Sequence, residues 1–132
     1  MLSPSFSLIG RGTFFWRLIM GLDNFWKKNP DEFGIVKAKL KVCGSMLNDD
    51  DDENYSFRGK VYSEIIQDVS MVNLYNDIIP HETVKQIADD LESVTFIPEY
   101  IVHYDIEEDE FKDLVKMFRL HADAGHYLVS SW

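Results

Sequence analysis

Residues 105–132, DIEEDEFKDLVKMFRLHADAGHYLVSSW, hold both halves of the fold, a capped amphipathic helix and then a strand. Phe111, Leu114, Val115, Phe118 and Ala122 recur at three- and four-residue steps, which puts them on one side of an α-helix. Asp105 and Glu108 have the D-x-x-E spacing of a capping box. Glu107, Glu108, Asp109 and Glu110 crowd the first turn, and Lys112, Lys116 and Arg119 come later, the order that the helix dipole favours. Gly125 is a natural C′ stop. His126 to Trp132 then reads as a last strand. A helix with one apolar face beside a strand calls for helices layered on a sheet.

Working outward, Gly34 to Gly44 alternates. Val36, Ala38, Leu40 and Val42 face one way and Lys37, Lys39 and Lys41 the other, as in a half-buried strand bounded by glycines. Residues 44–55 read as an acidic loop. Ser56 reads as the N-cap of a helix running to about Ser70, with Val61, Ile65 and Val69 on one face. Gly59 weakens the start of that helix. Met71 to Ile79 reads as a connector. Pro80 suits the first turn of the next helix, whose stripe is Val84, Ile87, Ala88, Leu91 and Val94. Between Phe96 and Ile106 a second alternation sets Tyr100, Val102, Tyr104 and Ile106 against Glu99, Ile101, His103 and Asp105. Pro98 there marks an edge or a strand start. The expected fold is α+β. One domain over residues 1–132 packs about three helices on one face of a small, mainly antiparallel sheet. Its core includes Val36, Leu40, Ile65, Ile87, Leu91, Phe111, Leu114 and Phe118.

The charge changes sign at Asn48. Seven Lys/Arg stand against three acids before that point, and six against twenty after it, within a net charge of −10. The break is the run Asp49-Asp50-Asp51-Asp52-Glu53. Such asymmetry points to an electrostatic partner, internal or external, and names no reaction. The overall acidity argues against nucleic acid as that partner. Cys43 is the single cysteine, so no intrachain disulfide forms. That fits a reducing compartment, the cytoplasm. Asn54-Tyr55-Ser56 matches a glycosylation sequon, a pattern too short to carry weight without a secretory route.

Phe14-Phe15-Trp16-Arg17-Leu18-Ile19-Met20-Gly21-Leu22 is strongly apolar. It is interrupted by Arg17 and is far shorter than the roughly 20 residues of a membrane span. It lacks the build of a signal peptide. It reads as a core element, as a contact surface through which Phe14, Phe15 and Trp16 would join copies of the chain, or as an extension upstream of a start at Met20.

The acidic run admits three readings. It is a solvated loop, a surface that captures a basic protein by electrostatic steering, or a cation site. The third lacks the alternating D-x-D-x-D-G spacing and distal Glu of a calcium loop. The residues expected to meet a basic partner are Asp49, Asp50, Asp51, Asp52, Glu53, Asp89, Asp90 and Glu92. The lysines at 37, 39 and 41 are read as answered by Glu99 and Asp105 of a neighbouring strand, or as guards of a sheet edge.

The alternative site is a His/Asp cluster: His103, Asp105, His121 and His126, for acid–base or metal-assisted chemistry. The H-x-D-x-x-H spacing of His121, Asp123 and His126 matches no metal signature. His121 falls near the apolar stripe, Asp123 turns away from it, and packed histidines are the simpler reading. His81, at a helix start, is expected to be exposed. Cys43 sits in no Cys-His pattern and reads as a structural thiol. Phe57-Arg58-Gly59-Lys60 lacks the glycine spacing of a phosphate loop, and neither G-x-G-x-x-G nor G-x-S-x-G occurs. No cofactor is expected.

Three strings, Gly21-Leu22-Asp23-Asn24-Phe25-Trp26, Phe57-Arg58-Gly59-Lys60-Val61-Tyr62 and Ala122-Asp123-Ala124-Gly125-His126-Tyr127-Leu128, resemble strings in small microbial or viral proteins to which no activity is attached. The resemblance implies no activity and favours Met20 as a start. The function expected from the residues is that of a non-enzymatic acidic binding protein, such as an inhibitor or immunity-type protein. A small His/Asp enzyme and a self-associating structural protein are the alternatives.

Overall fold

The computed structural model describes residues 22–42, 53–94, 104 and 106–131. Strand β1 (Asp23–Asn29) sits inside the main sheet, with both of its edges used. Strand β7 (Tyr127–Ser131) runs antiparallel along one edge, from Asp23 opposite Ser131 to Lys27 opposite Tyr127. The other edge is shared by β2 (Glu32–Phe33) and β5 (Ser56–Phe57). Strand β6 (Ile78–Ile79) adds to the far side of β7. A separate two-stranded piece pairs β3 (Val36–Lys37) with β4 (Glu53–Asn54). Every pairing is antiparallel.

Three helices cover the inner face of the sheet. Helix α1 (Gly59–Ser70) buries Tyr62, Ile65 and Ile66, and α2 (His81–Ser93) buries Val84, Ile87, Ala88 and Leu91. Helix α3 (Glu108–Asp123) buries Phe111, Leu114, Met117, Phe118, His121 and Ala122. The sheet answers with Asn24 and Trp26 of β1, Leu128 of β7 and Ile79 of β6, while their neighbours Phe25, Lys27, Val129 and Ile78 face outward. This is the period-two alternation of a half-buried sheet. Trp26 is the hinge pin of the core. Its ring meets Phe118 edge-on at 5.2 Å and leans on Phe57 at 5.8 Å. Truncating a buried aromatic of this size costs roughly 3–5 kcal/mol. The fold is thus the expected α+β arrangement. The expected core residues are all buried except Val36, which is half-buried.

Several local expectations are corrected. Ser56 caps no helix. It lies in β5, its Oγ is buried without a hydrogen-bond partner, and α1 begins three residues later with Arg58 at its N-cap. The backbone there is drawn into the sheet: Tyr55 accepts a bond from Trp26, and the carbonyl of Leu22 accepts from the first-turn N–H of Lys60. The acidic loop ends earlier than residue 55, because Glu53 and Asn54 pair with β3. The connector from Met71 to Ile79 contains β6. The lysine strand keeps its alternation through Val42, with Leu40 and Val42 buried and Lys37, Lys39 and Lys41 exposed, yet only Val36 and Lys37 are laddered. Helix α3 takes Glu107 as its N-cap. Asp105, the expected cap, lies outside the described residues. So do Phe14 to Gly21, Cys43, Asp49 to Asp52, and most of the 96–106 alternation. Of that alternation Tyr104 and Ile106 are described, Tyr104 in a turn and Ile106 buried without regular structure.

Candidate functional site

Helices α2 and α3 pack side by side and bring together part of the expected acidic site. Arg119, on α3, reaches across to α2. Its guanidinium donates to Glu92 through Nε and Nη2, both at 2.8 Å, and to Asp89 Oδ1 at 2.5 Å. Nη1 meets Asp123, one turn along its own helix, at 3.5 Å. The fork-shaped guanidinium suits such shared carboxylate binding. The hydrogen bonds from Arg119 hold the Glu92 carboxyl below its ordinary range, and those carboxylates raise Arg119 in turn. Three carboxylates share one cation here, so the face stays negative. Asp90 differs from its neighbours: it is half-buried and accepts a 2.7 Å bond from Ser70 Oγ of α1.

Glu53, the last residue of the acidic run, stands opposite Lys37 in the β3–β4 ladder. Asp49, Asp50, Asp51 and Asp52 lie outside the described residues. The lysine strand is therefore met by Glu53 and by α3, since Lys41 pairs with Asp109 at 3.4 Å and its backbone N–H donates to Asp113 at 2.7 Å. The expected counterparts Glu99 and Asp105 lie outside the described residues. Lys39, Leu40, Lys41, Asp109, Lys112 and Asp113 line an open cleft of about 620 Å³. Its charges are engaged: Lys112, for instance, pairs with Glu108 at 3.0 Å.

The histidines meet at the other end of α3. Ala124 closes the helix, Gly125 takes φ +82°, and the chain turns back. The N–H of Gly125 donates to Ala122 O at 3.1 Å and that of His126 to His121 O at 3.0 Å. These are the two bonds of a Schellman motif, which sets the C″ residue against the C3 residue. Here those residues are His126 and His121, and their Nδ1 atoms stand 2.8 Å apart. His121 lies flat on Trp26, ring centres 4.0 Å apart and planes within 3°. It is fully buried, and its Nε2 has no partner. Burial, then the neighbouring His126, pushes His121 down to about 2. His126 is also lowered, by burial first and then by Lys28 and His81.

His121 and His126 are both packed inside the fold, but His121 Nε2 is left unsatisfied. His81 is half-buried rather than exposed, its Nε2 2.7 Å from Ala122 O. His103 and Asp105, the other members of the alternative site, lie outside the described residues. Among the described residues no group of three His, Cys, Asp or Glu side chains is placed to hold a metal ion, and no helix is long and apolar enough to cross a membrane. The sequence reading missed Arg119 as the hub of the acidic face and missed the His121–His126 contact. Counting from Gly125 as C′ would have found the second.

No protein-family model, curated protein or solved structure matches the chain.

Proposed function

We propose that the chain is a non-enzymatic binding protein whose acidic surface masks a basic surface on another protein, as an inhibitor or immunity-type protein does. The observation that carries this is the α2–α3 face, where Asp89, Glu92 and Asp123 share the single guanidinium of Arg119. The sequence after Asn48 carries twenty acids against six Lys/Arg, the Asp49–Glu53 run among them. Opposed surface charge speeds encounter and selects partners more than it adds affinity. A reducing, cytoplasmic setting fits the lone Cys43. The His/Asp enzyme reading has less support, because His121 is closed to any substrate.

The test is affinity capture from the native source at low and high salt, with the wild type and a variant carrying Asn at 49–52 and Gln at 53. The expected result is a basic protein that is held at low salt, released at high salt and bound more slowly by the variant. Equal association rates for the two proteins would remove the proposal.

A further inference from the structure

The His121–His126 contact holds only one proton. For the two Nδ1 atoms to bond at 2.8 Å, one ring donates and the other accepts. His121 Nε2 is buried without a partner, and an orphaned lone pair is less costly than an orphaned N–H. His121 therefore donates from Nδ1, and His126 accepts at Nδ1 and carries its own proton on Nε2. A proton added at His126 Nδ1 sets two N–H groups head to head and breaks the bond. A proton added at His121 Nε2 keeps the bond but buries a cation with an unpartnered donor.

The titratable groups that act on His126 are basic. From β1 comes Lys28, whose ammonium is bound to Glu32 of β2 at 3.0 Å. From α2 comes His81, and from α3 His121 itself. Asp123, close in sequence, is exposed and bound to Arg119. The β2–β3 connection contributes the backbone of Gly34, pressed on the His126 ring so closely that a Cβ there would lie 2.6 Å from its Cγ. The way out is short. Asp123, Ala124 and Gly125 are exposed, and the Cβ direction of Gly125 opens onto free space.

We propose that the His121–His126 pair is an acid-operated latch on the junction of α3 and β7: protonation of His126 drives its ring from the seat against Gly34 and opens the turn at Ala124–His126. The two Schellman bonds are lost with it, while the β7 ladder, which begins at Tyr127, stays paired to β1. The depressed titration of His126 agrees with a closed state that excludes the proton.

Amide hydrogen exchange of the full chain, followed by NMR from pH 7.5 to 5 and corrected for intrinsic rates, tests the latch. The opening constant at Gly125 and His126 is expected to rise by up to about tenfold for each pH unit below 6.5, while Ile65 and Ile66 of α1 stay far better protected at every pH and follow only the global stability. His126→Leu is expected to flatten that response. His126→Asn, which cannot titrate but retains polar atoms, serves if the leucine variant does not fold. An opening constant that ignores pH, a response retained in both variants, or opening at Gly125 and His126 no easier than at Ile65 and Ile66 would overturn the proposal.

Discussion

Gly59, the first residue of α1, passes so close to Asn24 of β1 that a Cβ at Gly59 would overlap Asn24 Oδ1. Asn24 cannot retreat, because its Nδ2 donates to Leu74 O at 3.0 Å and to Ser130 Oγ at 3.1 Å. In an open helix Gly→Ala stabilises by about 1 kcal/mol. Gly59→Ala is expected to do the reverse and cost about 2 kcal/mol in urea unfolding, a typical overpacking loss. The cost should shrink in an Asn24→Ala background, where the obstructing atom is gone. An alanine at 59 that stabilises the wild-type protein would show that the contact yields freely.

Among the described residues, Arg119 is the cation that pairs with Asp89, Glu92 and Asp123 on the α2–α3 face. Its pairs are largely solvent-facing, so their worth is modest and screened. Arg119→Gln is expected to lower stability by about 1 kcal/mol at low salt and by little at 1 M salt. The same change removes a positive charge from the proposed partner surface, so association with a basic partner should quicken. Thermal unfolding and association kinetics across a salt series check the two effects separately.

Lys37 and Glu53 face each other across β3 and β4. Lys37→Glu places like charges opposite one another and is expected to cost about 0.5–1 kcal/mol. Adding Glu53→Lys to that variant should restore most of the loss, with denaturant midpoints as the readout.

His121 supplies a pH dependence whose sign is fixed. Its folded form stays neutral down to about 2, whereas the unfolded chain takes up the proton near 6.5. Between those values the unfolded state binds more protons, so stability falls as the pH falls. The loss from this one residue should reach about 2 kcal/mol at pH 5. His121→Phe keeps a ring on Trp26 and does not titrate. Its urea midpoint should exceed that of the wild type at pH 5 by more than at pH 7.5, and a constant difference would refute the assignment.

Helix α3 was legible because each of its signals agrees: stripe, acidic first turn and glycine stop. Strand β1 was not, because its inward positions include the polar Asn24 and its outward ones the apolar Phe25, so the period-two signal cancels. Asn24 is tolerated inside only through Leu74 and Ser130, both remote in sequence. Ser56 misled for a similar reason, since its capping chemistry is local while the edge of β1 that claims it is not. On the acidic face, Asp89, Asp90 and Glu92 look alike in sequence. Packing separates them: Asp90 turns to Ser70, and its neighbours turn to Arg119.

The β3–β4 pairing fixes the two ends between which residues 43–52 run. The segment leaves after the buried Val42 and returns at Glu53, and the bond from Asn54 Nδ2 to Ala38 O ties its two stems together. Entry and exit are thus held by the core and the ladder. Closure entropy changes slowly with length, so doubling the length of chain between these two ends would add only about 0.6 kcal/mol of closure cost. The most acidic stretch of the sequence is thus held at both ends by apolar burial and backbone pairing.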